Sequence, residues 1–144
     1  MYVYIAGKLC SEEERKFLEE IEILCHKIGF KTFLPHRDCG LVCFKSDIKK
    51  IFEEDKKALE ECDLVVAVLN GDHIGAGTAW ELGYAYALGK KCIGLKSDKN
   101  YEECIEQLSS MLLSSVEIVN SLEELKNKLE SIKNGKNNKK TNKI

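Results

Sequence analysis

No apolar run in this 144-residue chain approaches the ~20 residues that a bilayer-spanning helix needs, so no membrane segment is expected. Charge of one sign is also missing. Lys and Arg total 22 against 24 Asp and Glu, a net of −2, which provides no general polyanion-binding surface and points to no nucleic-acid partner. The lysines between Lys126 and Lys143 read as a solvated terminus rather than a nucleic-acid arm. No secretory leader is evident, and the seven cysteines are odd in number and scattered, which is not a disulfide framework. Reduced thiols and a cytoplasmic location are therefore expected. His36-x2-Cys39-x3-Cys43 comes nearest to a metal motif but lacks a second pair at zinc-finger spacing. Packing is its expected role, with no metal.

Several catalytic signatures are absent too. Gly71, Gly75 and Gly77 do not have the G-x-G-x-x-G spacing and follow the third strand-like run rather than the first. There is no G-x-x-x-x-G-K-S/T loop and no G-x-S-x-G, and the cysteines have no obvious partner histidine. Dinucleotide redox, phosphoryl transfer and hydrolase-triad chemistry are thus poorly supported, and no organic cofactor is called for.

What is present is a strict alternation of strand and helix signals. Met1–Ala6 is a short β-prone run. Ser11 with Glu14 forms a capping box that opens a helix to about Ile28, with Phe17, Leu18, Ile21, Leu24, Cys25 and Ile28 on one face and Gly29 as its stop. Phe30–Leu34 reads as a strand and Pro35–Gly40 as a loop. Ser46 or Asp47 caps a helix to Glu61, with Ile48, Ile51, Phe52 and Leu59 inward. Asp63–Leu69 is an apolar strand buried on both faces, Asn70–Gly77 a glycine-bearing loop and Thr78–Gly89 a helix. Cys92–Leu95 and Val116–Val119 read as strands, and Tyr101–Leu113 and Ser121–Lys133 as helices. The expectation is an α/β domain over residues 1–133, a doubly wound five-stranded parallel sheet (flavodoxin-like or Rossmann-like) with helices on both faces. Residues 134–144 are expected to be a polar, disordered tail.

In such a sheet the loops Gly7–Cys10, His36–Val42 and Asn70–Thr78 converge at the carboxyl ends of the strands. Glu81, a lone carboxylate among Trp80, Leu82, Tyr84 and Ala85, then stands over the sheet edge. Asp55 is a second acid, and two acids about one reacting carbon suit glycosyl transfer. From composition alone its setting, Glu53-Glu54-Asp55-Lys56-Lys57, favours a solvated helix face. It also lies late in its helix, near the sheet's carboxyl edge only if that helix is short or bent.

Together, YIAG at Tyr4–Gly7, Ser11-Glu12-x-Glu14-Arg15, LPHRD at Leu34–Asp38, Asp55 with CDLVVAVL, and GTAWELGYAYALGKK at Gly77–Lys91 resemble the nucleoside 2-deoxyribosyltransferase family. That family includes the 2'-deoxynucleoside 5'-phosphate N-hydrolases, and the resemblance covers roughly residues 2 to 120. It implies Glu81 as the nucleophile that forms a deoxyribosyl ester, Asp55 as the acid that assists base departure, and Tyr4, at the end of the first strand, as the orienter of the nucleophile. Trp80 is expected to be an ordinary core aromatic.

Two activities compete within the family. Transferases usually carry an aspartate six residues before the nucleophile and the phosphohydrolases a serine; here it is Gly75. A glycine offers a backbone N–H near a helix start and does not repel a phosphate. Leu108-Ser109-Ser110-Met111 is similar to the phosphohydrolases' Leu-Ser-Ala-Met, which implies that Ser109, with Met111 beside it, contacts phosphate across a homodimer interface. The hydrolases' Gly-Ser-Ile-Arg is replaced by Gly7-Lys8-Leu9-Cys10, where Lys8 can supply a point charge. The start of the first helix looks more like transferases, and Asp72 or His73 can stand for the missing acid through a loop shift. Gly77 belongs to the substrate loop; His36, Arg37 and Asp38 are candidates for base recognition or for a structural loop role. The expected substrate is a small nucleotide or nucleoside, with 2'-deoxynucleoside 5'-monophosphate hydrolysis ahead of base exchange. A non-catalytic nucleotide-binding module is the alternative of a different class.

Overall fold

The computed structural model describes residues 1–141, with side chains through Gly135. Five strands, β1 (Tyr2–Ala6), β2 (Lys31–Phe33), β3 (Leu64–Val68), β4 (Lys91–Leu95) and β5 (Glu117–Val119), pair in the order β2-β1-β3-β4-β5. Every pairing is parallel. Among the described residues there are seven helices, α1 (Glu12–Ile28), α2 (Pro35–Asp38), α3 (Asp47–Glu61), α4 (Ala76–Ala87), α5 (Tyr101–Gln107), α6 (Ser110–Ser115) and α7 (Leu122–Thr141). This is the expected doubly wound, flavodoxin-like sheet.

The period of two along each strand sorts the core into two layers. Val3, Ile5, Leu64, Val66, Ile93 and Leu95 point to one face, where Leu18 and Ile21 of α1 and Leu125 and Leu129 of α7 cover them. Tyr4, Ala6, Val65 and Ala67 point to the other face, beneath Ala58 and Leu59 of α3, Leu82 and Ala85 of α4, and Cys104 and Leu108. The neighbouring strands β1 and β3 lead to opposite faces, which opens the crevice where such sheets place their ligands. Tyr4 lies mid-strand rather than at the strand's end, and it points to the α3/α4 face.

Local signals explain most boundaries. Ser11 Oγ accepts from Glu14 N–H while Glu14 accepts from Ser11 N–H, and Gly29 closes α1 at φ 95°. Gly94 is glycine because a Cβ there would lie 2.5 Å from Leu69 Cδ1 and 2.9 Å from Val116 Cγ1. Four boundaries depart from expectation. The segment after Pro35 closes into α2, with proline at its first turn, rather than a loop. α4 begins at Ala76, ahead of Thr78. The helix expected over Tyr101–Leu113 breaks at Leu108, because Ser109 caps a new helix by accepting from Leu112 N–H at 3.4 Å. α7 continues past Lys133 to Thr141; residues 142–144 of the expected tail lie outside the described residues. Among the described residues no helix is long and apolar enough to cross a membrane.

The β3–α4 loop is stapled to the β4–α5 turn. Lys96, fully buried, donates from Nζ to Leu69 O (3.2 Å), Gly71 O (3.1 Å) and Asp98 Oδ1 (3.0 Å). Gly71 N–H donates to Asp98 Oδ2, and the Asn70 side chain pairs with Ser97 through both its amide oxygen and its nitrogen. This network fixes the loop that leads into α4.

Candidate active site

Glu81 sits in the second turn of α4, on the side that meets α3 and the carboxyl half of the sheet. The Tyr4 hydroxyl donates to its Oε1 at 2.7 Å. Tyr4 is fully buried and stacks on Phe33, with ring centroids 5.3 Å apart, so this donor has little freedom to turn away. Burial and the Glu81 charge push the Tyr4 phenol far above its usual range, which keeps it a donor.

Asp55 shares a cavity of about 340 Å³ with Glu81, walled by Ile48, Ile51, Phe52 and Trp80 and floored by Gly77. No bend brings it there. α3 is a continuous 15-residue helix that descends from the carboxyl edge of the sheet, so Asp55 lies on the same apolar stripe as Ile48, Ile51, Phe52 and Leu59. The solvated-face reading of Asp55 is thereby overturned. Desolvation pushes the Glu81 carboxyl up to about 7; the Tyr4 hydrogen bond opposes this and the Asp55 charge adds to it. Desolvation also raises Asp55, with a smaller contribution from Glu54, while the Cys39 thiol, donating to Oδ1 at 3.3 Å, pulls the other way. Two carboxylates with raised affinities for protons, one held by a phenol, stand against an apolar wall that can take a flat heterocycle.

The profile of the family described as nucleoside 2-deoxyribosyltransferase matches residues 3–129. The chain belongs to this family. As a family member it is an enzyme of glycosyl transfer or N-glycosidic cleavage at nucleosides. Solved structures agree on the fold. A 2-deoxyribosyltransferase of Bacillus psychrosaccharolyticus superimposes with a TM-score of 0.77 at 21% identity, covering 88% of this chain and 91% of that one. The Clostridium botulinum CMP N-glycosidase BcmB does so at 0.58 and 27% identity, covering 90% and 99%. A 2-desoxiribosyltransferase of Leishmania mexicana gives 0.64 and 20%, covering 85% and 92%. No curated sequence matches the chain significantly.

Within this deoxyribosyltransferase-family site, Tyr4, Asp55, Gly77 and Glu81 come together, and the other candidates fall elsewhere. Lys8 lies across the β3–α4 loop: a Cβ at Gly75 would be 3.1 Å from Lys8 Cγ, and one at Gly71 2.9 Å from Nζ. Gly75 is the N-cap of α4, so the Lys8 stem covers the start of that helix, while its ammonium pairs with Glu14 at 3.8 Å. Gly7 serves packing, since a Cβ there would lie 2.6 Å from Leu18 Cδ2. His36 and Arg37 do not line this cavity. His36 Nε2 meets Glu19 at 3.0 Å, and Arg37 pairs with Glu22 and Asp38. Ser109 and Met111 line a separate hollow of about 530 Å³ on the far side of α4, with Ala79, Gly83 and Tyr86.

The sequence reading missed two parts of this site. Trp80 is not core: it is 48% exposed, stands edge-on to Phe52 (5.5 Å) and stacks on Tyr84 (5.1 Å) at the cavity wall. The signal was its place beside Glu81 and three residues after Gly77, on the helix face that must look toward α3. Cys39 on Asp55 had no such signal, because the contact depends on how α2 closes.

Proposed function

We propose that the enzyme cleaves the N-glycosidic bond of 2'-deoxynucleoside 5'-monophosphates by double displacement through Glu81. The observation that carries this reading is the Tyr4–Glu81 hydrogen bond in a cavity that Asp55 shares. A Glu81 carboxylate oxygen bonds to C1' as the C1'–N bond breaks, and the electron pair leaves with the base. Asp55, directly or through a water, delivers a proton or hydrogen bond to that base, assistance typically worth ~10²–10⁴ in rate. Water then attacks C1', passing its proton to the Asp55 carboxylate as the C1'–O bond to Glu81 breaks, which frees Glu81 and yields 2-deoxyribose 5-phosphate. A carboxylate pressed on the C1'–C2' edge crowds a ribose hydroxyl, which favours the deoxy sugar. Gly75 supports the phosphate: it puts a side-chain-free N-cap under the Lys8 stem, at the positive end of the α4 dipole. Ser109 would reach the phosphate of a neighbouring subunit in a homodimer, consistent with its place in a hollow apart from its own Glu81.

One observation favours base exchange between 2'-deoxynucleosides instead. Lys8 is already paired with Glu14, which reduces the charge it can offer a phosphate. Chromatography of products over a panel of deoxynucleosides, their 5'-monophosphates and CMP separates the readings. The hydrolase reading expects free base and sugar phosphate from deoxynucleoside monophosphates. A preference for unphosphorylated substrate, or a second base that accepts the sugar faster than water, establishes the transferase. Stoichiometric nucleotide binding without base release from any candidate establishes a binding module.

A further inference from the structure

The thiol of Cys39 touches the proposed leaving-group acid, and no step of the proposed reaction uses it. We infer that Cys39 is a positioning residue for Asp55: from the end of α2 its thiol donates to Oδ1, holding one carboxyl oxygen so that the other faces the cavity. This rests on the reading of Asp55 as the acid that assists base departure.

The contact joins two anchored elements. Cys39 is the C-cap of α2, with its N–H on Pro35 O at 2.9 Å. α2 is held to α1 by Arg37 on Glu22 and His36 on Glu19, and to its own start by Leu34 N–H on Asp38 Oδ2 at 2.8 Å. The role of His36 and Arg37 in the site is thus to carry this platform. At the other end Asp55 is fixed by α3, whose Leu59 is fully buried. The Sγ–Oδ1 separation of 3.3 Å suits an S–H···O bond.

The donor direction follows from the surroundings. Burial, then the Asp55 and Glu54 carboxylates, push the Cys39 thiol far above its ordinary range, so Sγ keeps its proton near neutral pH. The same environment makes it a poor nucleophile, which argues against redox or covalent duty. The titratable groups around Asp55, besides Cys39, are the charged Glu54 and Lys56 on its own helix, Glu81 on α4 and the neutral Tyr4 on β1. Against desolvation and Glu54, which favour the protonated acid, Cys39 is the contact that favours the carboxylate. Removing this donor should raise the proton affinity of Asp55; a serine in its place should restore it.

The test is a carboxyl ¹³C titration of full-length protein labelled at aspartate, with Asp55→Asn assigning the resonance. In Cys39→Ala the Asp55 midpoint should rise by about half a pH unit or more, and in Cys39→Ser it should return toward the native value. An unmoved midpoint in Cys39→Ala, or a serine variant that behaves like alanine, overturns the inference whatever the enzyme's substrate. The pH profile of kcat/KM should move in the same direction and by a similar amount. If the midpoint moves and the profile does not, Asp55 is not the acid of the reaction, and the functional reading falls instead.

Discussion

Glu81 holds a carboxyl that must be ionised to attack, in a place that resists ionisation. With its proton affinity raised to about 7 by desolvation, Glu81 should give kcat/KM of the free enzyme an ascending limb near pH 7, beside the descending limb that Asp55 contributes as the acid. Tyr4 opposes that shift, so Tyr4→Phe should move the ascending limb to higher pH and lower the rate at neutrality by about 10-fold or more, read from pH–rate profiles. The same burial affects stability. A carboxyl whose folded affinity exceeds its unfolded value of 4.5 favours the fold below about 4.5, and that contribution is lost as pH climbs through about 7. Glu81→Gln should therefore abolish turnover yet stabilise the protein at pH 8 relative to pH 5, by on the order of 1–3 kcal/mol in urea unfolding. Substantial residual activity in that variant would remove Glu81 from the nucleophile's role.

Among elements, the β3–α4 loop owes its shape to a buried cation as well as to Gly71, whose φ of 94° favours glycine. Lys96→Met keeps much of the side chain's volume but leaves two carbonyls and Asp98 without their donor, so a loss of about 3–5 kcal/mol is expected in urea unfolding, with little change in slope. A loss under 1 kcal/mol would show that water replaces the amine easily. Lys96 also marks where the sequence stops being informative. Its charge says surface; only the meeting of β3 and β4 ends places it over three acceptors. Local chemistry was legible where it is self-contained, as in the Ser11–Glu14 box, the Gly29 stop and the buried run of β3. It was less so for Asp55: its spacing of seven from Ile48 and four from Leu59 puts it on the apolar stripe, but its charged neighbours in sequence read as a solvated face. The α5–α6 break was not legible, since a helical period runs on through Leu108–Leu113 and only the Ser109 cap interrupts it. Glu81 stood out as a lone carboxylate over the sheet edge, Tyr4 and the part played by Asp55 came through the family's residues, and the contacts of all three only through the fold.

At the scale of the whole molecule, α4 stands between two hollows. Glu81 faces α3, whereas Ser109 and the exposed Met111 face outward beside Ala79, Gly83 and Tyr86. If Ser109 serves the site of a second copy, a two-fold pairing supplies the exchange in both directions. Complementation reads this directly. Glu81→Ala supplies an intact Ser109 and Ser109→Ala an intact Glu81, so each is crippled alone. On equimolar mixing with free exchange, about half the dimers are mixed, and each mixed dimer holds one complete site of two; activity should recover to about a quarter of native. The recovery should appear with a deoxynucleoside 5'-monophosphate at low concentration, where the serine's contribution to phosphate binding counts most. Light scattering that shows a monomer at working concentrations, or mixtures no more active than the sum of their parts, would confine Ser109 to capping α6.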